Sequence, residues 1–149
     1  MNPRTHPVVV ALVALLVAAP VALAAVLPGR AKYVGKTSDH NAVTLKLNGK
    51  ASRITRMRIH YTVDCNDGRS GTTYTDILGA RVRGDHSFSA SGTYTGSGDG
   101  SQNTFKASGK LGPNKAHGKF SLKATGKTSN GSTLSCKTGK LTWSAKRKK

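Results

Sequence analysis

The chain has 149 residues, with 24 Lys and Arg against 6 acids, all of them aspartate, for a formal net charge of +18. That length fits one domain with a modest core, and the lack of glutamate halves the side chains open to carboxylate acid–base chemistry. The charge points to anionic partners; the competing reading is a solvated basic surface with no dedicated ligand.

Residues 1–24 read as a secretory signal peptide. A polar start with Arg4 and His6 leads into an apolar run from Val8 to Ala19, which Pro20 breaks, and Ala22-Leu23-Ala24 supplies the small-x-small triplet. Cleavage is expected between Ala24 and Ala25, sending the product out of the cell or to its envelope. The alternative is an uncleaved N-terminal membrane anchor, because Val8 to Leu27 reaches the roughly 20 residues that span a bilayer. No cysteine follows the apolar run, so a lipid-anchored lipoprotein is excluded.

Residues 25–31 form a linker, and 32–145 a single domain. Short runs alternate apolar and polar residues there, separated by Asn-Gly, Asp-Gly and Gly-rich turns, with no sustained helical period. This predicts an all-β fold, an antiparallel β-sandwich or barrel of about eight short strands. The strands are expected at 32–38, 42–48, 54–65, 72–82, 86–94, 103–111, 116–125 and 132–145, the last one interrupted. In RITRMRIHYTVDC, Met57, Ile59, Tyr61, Val63 and Cys65 alternate with Arg56, Arg58, His60, Thr62 and Asp64, so one face goes inward and the other stays wet. The segment TGSGDGSQN at 95–103 reads as a flexible loop. Its single carboxylate, Asp99, is too few for a calcium loop.

NTFKASGKLGPNKAHGKFSLKAT predicts a hairpin about Gly112-Pro113-Asn114-Lys115. Phe105 then faces Leu122, Ala107 faces Phe120, Gly109 faces Gly118 and Leu111 faces Ala116. On the outer face Lys106 meets Ser121 and Lys119 meets Ser108, which keeps like charges from standing directly opposite.

Two cysteines in an exported chain predict one disulfide, Cys65 to Cys136. Neither has a second cysteine or histidine at metal-ligand spacing. Asn66-Asp67-Gly68 reads as a turn. At Lys137-Thr138-Gly139 the apolar parity switches from Leu134 and Cys136 to Leu141, Trp143 and Ala145, which predicts a bulge. Trp143 is expected in the core with Tyr61, Phe105 and Phe120. The pairs Asp39-His40 and Asp85-His86 fall in expected turns, and adjacent strand residues face opposite ways, so neither is a catalytic dyad by itself. No G-x-S-x-G elbow occurs.

The spaced residues Tyr33-x-Gly35-x-Thr37, Cys65-x-x-Gly68 and Cys136-x-x-Gly139-x-x-x-Trp143-x-Ala145-x-Arg147 resemble a loose group of small exported bacterial β-proteins to which no activity is assigned. The resemblance implies an exported β fold and carries over no site.

The functional expectation is a non-catalytic binding module of the cell envelope or extracellular space. Its partners would be anionic wall polymer, acidic glycan, anionic lipid or extracellular DNA, the last without sequence preference, and no cofactor or metal is implied. The residues expected to meet them are Arg56 and Arg58 on one strand, Lys106, Lys110, Lys119 and Lys123 on the hairpin, and a basic tail, Lys146, Arg147, Lys148 and Lys149. The alternatives are a structural or surface-associated protein without a discrete ligand and, third, a secreted hydrolase. An open aromatic groove would favour a glycan binder, and a featureless closed sandwich the structural reading.

Overall fold

Period-2 burial runs through the long strands, because successive side chains of an extended chain point to opposite faces. The protein is described here by a computed structural model covering residues 25–96 and 100–149. The expected signal peptide and Asp99 lie outside the described residues. The strands are β1 (Lys32–Thr37), β2 (Ala42–Leu47), β3 (Arg53–Cys65), β4 (Ser70–Ile77), β5 (Ala80–Arg81), β6 (Ser87–Thr95), β7 (Gln102–Leu111), β8 (Lys115–Lys127), β9 (Thr133–Lys137) and β10 (Leu141–Arg147). No helix occurs among the described residues.

Antiparallel pairings run β1-β2-β3-β9-β8-β10 and return to β1, closing a six-stranded barrel. From the other edge of β8 the sheet continues through β7 to β6, and from the other edge of β3 it continues to β4 and β5. These two extensions meet where Thr75 Oγ1 and the Tyr94 hydroxyl hydrogen bond at 3.1 Å.

The β7–β8 hairpin has the expected register throughout, including Phe105 opposite Leu122, Gly109 opposite Gly118 and Leu111 opposite Ala116. β9 and β10 are two parts of one interrupted strand along a single edge of β8. Between them the Thr138 N–H donates to the Leu122 carbonyl at 3.1 Å, and the Leu122 N–H donates to the Thr138 hydroxyl at 3.0 Å. Gly139 takes φ +68°, a conformation that costs a residue without Cβ nothing, and Leu141 resumes the ladder on the opposite parity.

Two expectations are corrected. The strand expected at 72–82 is divided into β4 and β5, with Gly79 at φ +70° turning the chain between them. The basic tail begins later than expected. Lys146 and Arg147 belong to β10, where Lys146 pairs with Val34 and Lys115 and Arg147 with Tyr33, and the Lys148 N–H still donates to the Lys32 carbonyl. Their side chains are charged, but their backbones complete the seam that closes the barrel on β1.

The core holds Tyr61, Phe120 and Trp143, all essentially buried, and Phe105 packs against its margin. Tyr61 and Phe120 stack with centroids 5.0 Å apart, and Phe88 and Trp143 at 6.0 Å. The buried Tyr33 satisfies its hydroxyl by donating to the Gly112 carbonyl at 2.8 Å. Cys65 and Cys136 sit directly opposite each other and form the disulfide, with Cα atoms 3.9 Å apart. The Cys65 N–H turns away to the Arg69 carbonyl, while the Asn66 N–H bonds Ser135, which leaves the cysteines as a close, non-hydrogen-bonded pair. His40 and His86 both occupy left-handed turn positions, at φ 63° and 65°.

Candidate anion-binding face and aromatic cleft

The outward positions of β6, β7, β8 and the β9–β10 strand carry almost only lysine, serine and threonine, and the ladder arranges them in rows. In one row Ser89 lies opposite Ser108, then Lys119, then Thr142. In the next, Ser91 faces Lys106 and Lys106 faces Ser121. A third runs Thr93, Thr104, Lys123 and Lys137. A fourth runs Ser87, Lys110, His117, Ser144 and Lys36. Among the described residues no carboxylate stands in these rows between β6 and β10. The first acids met among the described residues are Asp64, opposite Lys137, and Asp85 in the turn before β6. Asp85 is occupied by Ser87, accepting from its hydroxyl at 2.6 Å and its N–H at 3.0 Å. Those bonds, with the Lys110 charge adding, hold its carboxyl below the usual carboxylate range.

Lys106, Lys110, Lys119 and Lys123 thus share one exposed face, as expected. The structure adds lysines that the sequence reading passed over: Lys36, Lys115, Lys127, Lys137 and Lys140. A signal for two of them was present, since Lys115, Lys119, Lys123 and Lys127 recur at every fourth residue of β8. An interval of four keeps them on one face at roughly 13–14 Å spacing. Among the described residues none of these lysines is in an ion pair.

Arg56 is exposed and Arg58 half-buried on the wet face of β3, but they are already partnered. Arg58 donates Nε and Nη2 to the two carboxylate oxygens of Asp76 at 2.8 and 2.7 Å, and Arg56 donates to the same carboxylate at 2.6 Å. The Arg58 guanidinium also lies 4.1 Å from the centroid of Tyr74. The cause is register: Arg58 pairs directly with Asp76 across β3 and β4. The Arg58 hydrogen bonds, supplemented by Arg56, hold the Asp76 carboxyl well below the usual carboxylate range. A depressed native pKa contributes stability that is complete above the unfolded-state value and lost as the pH falls towards the native one. Asp76→Asn is therefore expected to lower the melting temperature at neutral pH, with the gap from wild type narrowing below about pH 3.9. Parallel melts across that range check it, and a gap that is independent of pH would refute the assignment.

A second feature is a cleft of about 730 Å³ between β3–β4 and the ends of β6–β8. Its apolar lining includes Val63, Leu122, Leu134 and Cys136, and its aromatic lining Tyr61, Tyr74 and Tyr94. Tyr74 and Tyr94 are 48% and 39% exposed. Burial raises the Tyr61 phenol above its ordinary pKa, and its hydroxyl bonds Thr75 at 2.7 Å. Arg69 and Lys127 also line the cleft; Arg69 donates to Asp67 at 2.6 Å and Lys127 to the Thr133 hydroxyl at 3.0 Å.

No protein family, curated protein or solved structure matches this chain.

Proposed function

We propose that this chain is a non-catalytic binding module for anionic polymers of the cell envelope or extracellular space, exported by its N-terminal leader and binding through the lysine–hydroxyl face of β6–β10. One observation supports this best: among the described residues the rows across that face hold lysines with no carboxylate between β6 and β10. Uncompensated like charges repel one another in the folded state, and a bound polyanion relieves that repulsion. Binding by counterion release loses affinity with added salt, with a log–log slope of about −0.9 per phosphate neutralised on duplex DNA.

The test is titration of the full chain with anionic polymers at low and moderate salt. Lys106→Gln/Lys119→Gln/Lys123→Gln is expected to flatten the salt slope by about 2–3 units on duplex DNA. Arg56→Gln/Arg58→Gln is expected to flatten it less, since the one Asp76 carboxylate holds both side chains and offsets one of their two charges. Absence of binding to any polyanion at low salt would end this reading.

The cleft favours a second reading, a glycan-binding module, because two half-exposed tyrosines above an apolar floor can stack on sugar faces. Neutral oligosaccharide binding that is insensitive to salt and lost in Tyr74→Ala/Tyr94→Ala would support it.

A further inference from the structure

Within the basic face lies a hollow of about 510 Å³ edged by Lys106, Lys119 and Lys140. We infer that it is a phosphoryl-group site, so that the polymer recognised is a phosphodiester polymer that needs no bases. This rests on the polyanion reading and names its ligand class.

The lysines converge for separate reasons. Lys106 lies opposite Ser121, and Lys119 is two residues along the same strand, so the pair are diagonal neighbours at roughly 7–8 Å. Lys140 arrives from the β9–β10 break. There Gly139 turns the chain at positive φ, and the Thr138 bonds to Leu122 hold the break against β8, leaving Lys140 beside the hollow just before the ladder resumes at Leu141. Without that interruption the outward residue would follow the β9 parity.

Around the three ammonium groups stand four serines, Ser89, Ser91, Ser108 and Ser121. Ser89 accepts from Arg83 at 3.1 Å, while the other three hydroxyls bond no protein group among the described residues. Short side chains here keep the hollow open and leave free O–H donors at its wall. Three point charges and several rotatable hydroxyls suit a tetrahedral oxyanion, whose oxygens project in different directions. The hollow contains no arginine, so the bidentate fork that holds a carboxylate or a phosphate in one plane is missing, and recognition rests on point charges and hydroxyls aimed from several directions. Base stacking needs an exposed aromatic face. The one aromatic residue at the hollow, Phe120, is 1% exposed because its ring points into the barrel. Nucleic-acid bases therefore add nothing to the phosphoryl contact.

The experiment compares three probes on the oxidised full chain at low salt: poly(glycerol phosphate), oligo(dT) with the same number of phosphates, and polygalacturonate of equal charge. Two triple variants of equal charge loss are run beside the wild type. One is Lys106→Gln/Lys119→Gln/Lys140→Gln; the other is Lys50→Gln/Arg53→Gln/Arg81→Gln, on β3, β5 and the turn before β3. Poly(glycerol phosphate) is expected to bind at least as tightly as oligo(dT) and about tenfold more tightly than polygalacturonate. The hollow variant is expected to lose about tenfold or more for the phosphoryl polymers, and the control to stay within about twofold. Ser108→Ala/Ser121→Ala, which leaves the charge unchanged, is expected to narrow the gap between phosphoryl and carboxylate probes. Equal loss in both triple variants, or polygalacturonate binding as well as poly(glycerol phosphate), overturns the phosphoryl site and leaves the polyanion module standing. Oligo(dT) binding well above poly(glycerol phosphate) overturns the base-free ligand. If no probe binds, the polyanion reading itself falls and this inference with it.

Discussion

Removing the Cys65–Cys136 bridge, by reductant or by Cys65→Ser/Cys136→Ser, is expected to destabilise the protein by roughly 4 kcal/mol in the chain-entropy account of a long closed loop. The bridge spans a sequence separation of 71 residues. Its position raises its importance. β3 and β9 meet through only two residue pairs, Asp64 with Lys137 and Cys65 with Cys136, whereas β7 and β8 pair continuously from Gln102 to Leu111. The disulfide therefore covers the shortest seam of the barrel circuit. Thermal melts with and without reductant should differ by roughly 10–20 °C. Identical melting in the two conditions would show that the β3–β9 seam holds without the bridge.

A loss of similar size, about 3–5 kcal/mol, is expected for Trp143→Ala. The indole is 2% exposed and packs over a slot that two glycines leave open where β7 and β8 face each other. A Cβ on Gly109 would sit 2.5 Å from Trp143 Cζ2, and one on Gly118 would sit 2.6 Å from it and 1.9 Å from the Ser108 carbonyl oxygen. The ring and a backbone cannot both give way, so Gly118→Ala is expected to cost at least as much as emptying the slot. Trp143→Phe should be milder. It leaves a smaller void, and among the described residues the indole Nε1 has no hydrogen-bond partner to lose. Denaturant unfolding of the three variants checks this order; a Trp143→Ala loss below about 1 kcal/mol would mean that the slot collapses around the smaller side chain.

The hairpin register from Asn103 to Thr125 was legible residue by residue, because a short turn joins its strands and one register matches large side chains to small ones. The parity switch at 137–139 was legible for a similar reason: inward and outward positions alternate along one strand, and a change of phase requires an interruption. The chain end was not. Four consecutive basic residues look like a solvated tail, yet Lys146 and Arg147 supply backbone to the β1 seam, a partner more than a hundred residues away in sequence.

The candidate site divides along the same line. The outward placement of Arg56, Arg58, Lys106, Lys110, Lys119 and Lys123 follows from alternation within each strand, so composition and parity settled the all-β class, the apolar faces and the wet faces. Whether an exposed cation stays available depends on what the neighbouring strand brings beside it. Asp76 takes Arg56 and Arg58 because β4 pairs with β3 in one particular register, and Lys140 joins Lys106 and Lys119 because the strand break packs against β8. Side-chain direction is a local property with a period of two. Convergence of charges from separate strands is a property of the closed ladder, set by hydrogen bonds between segments that no local pattern relates.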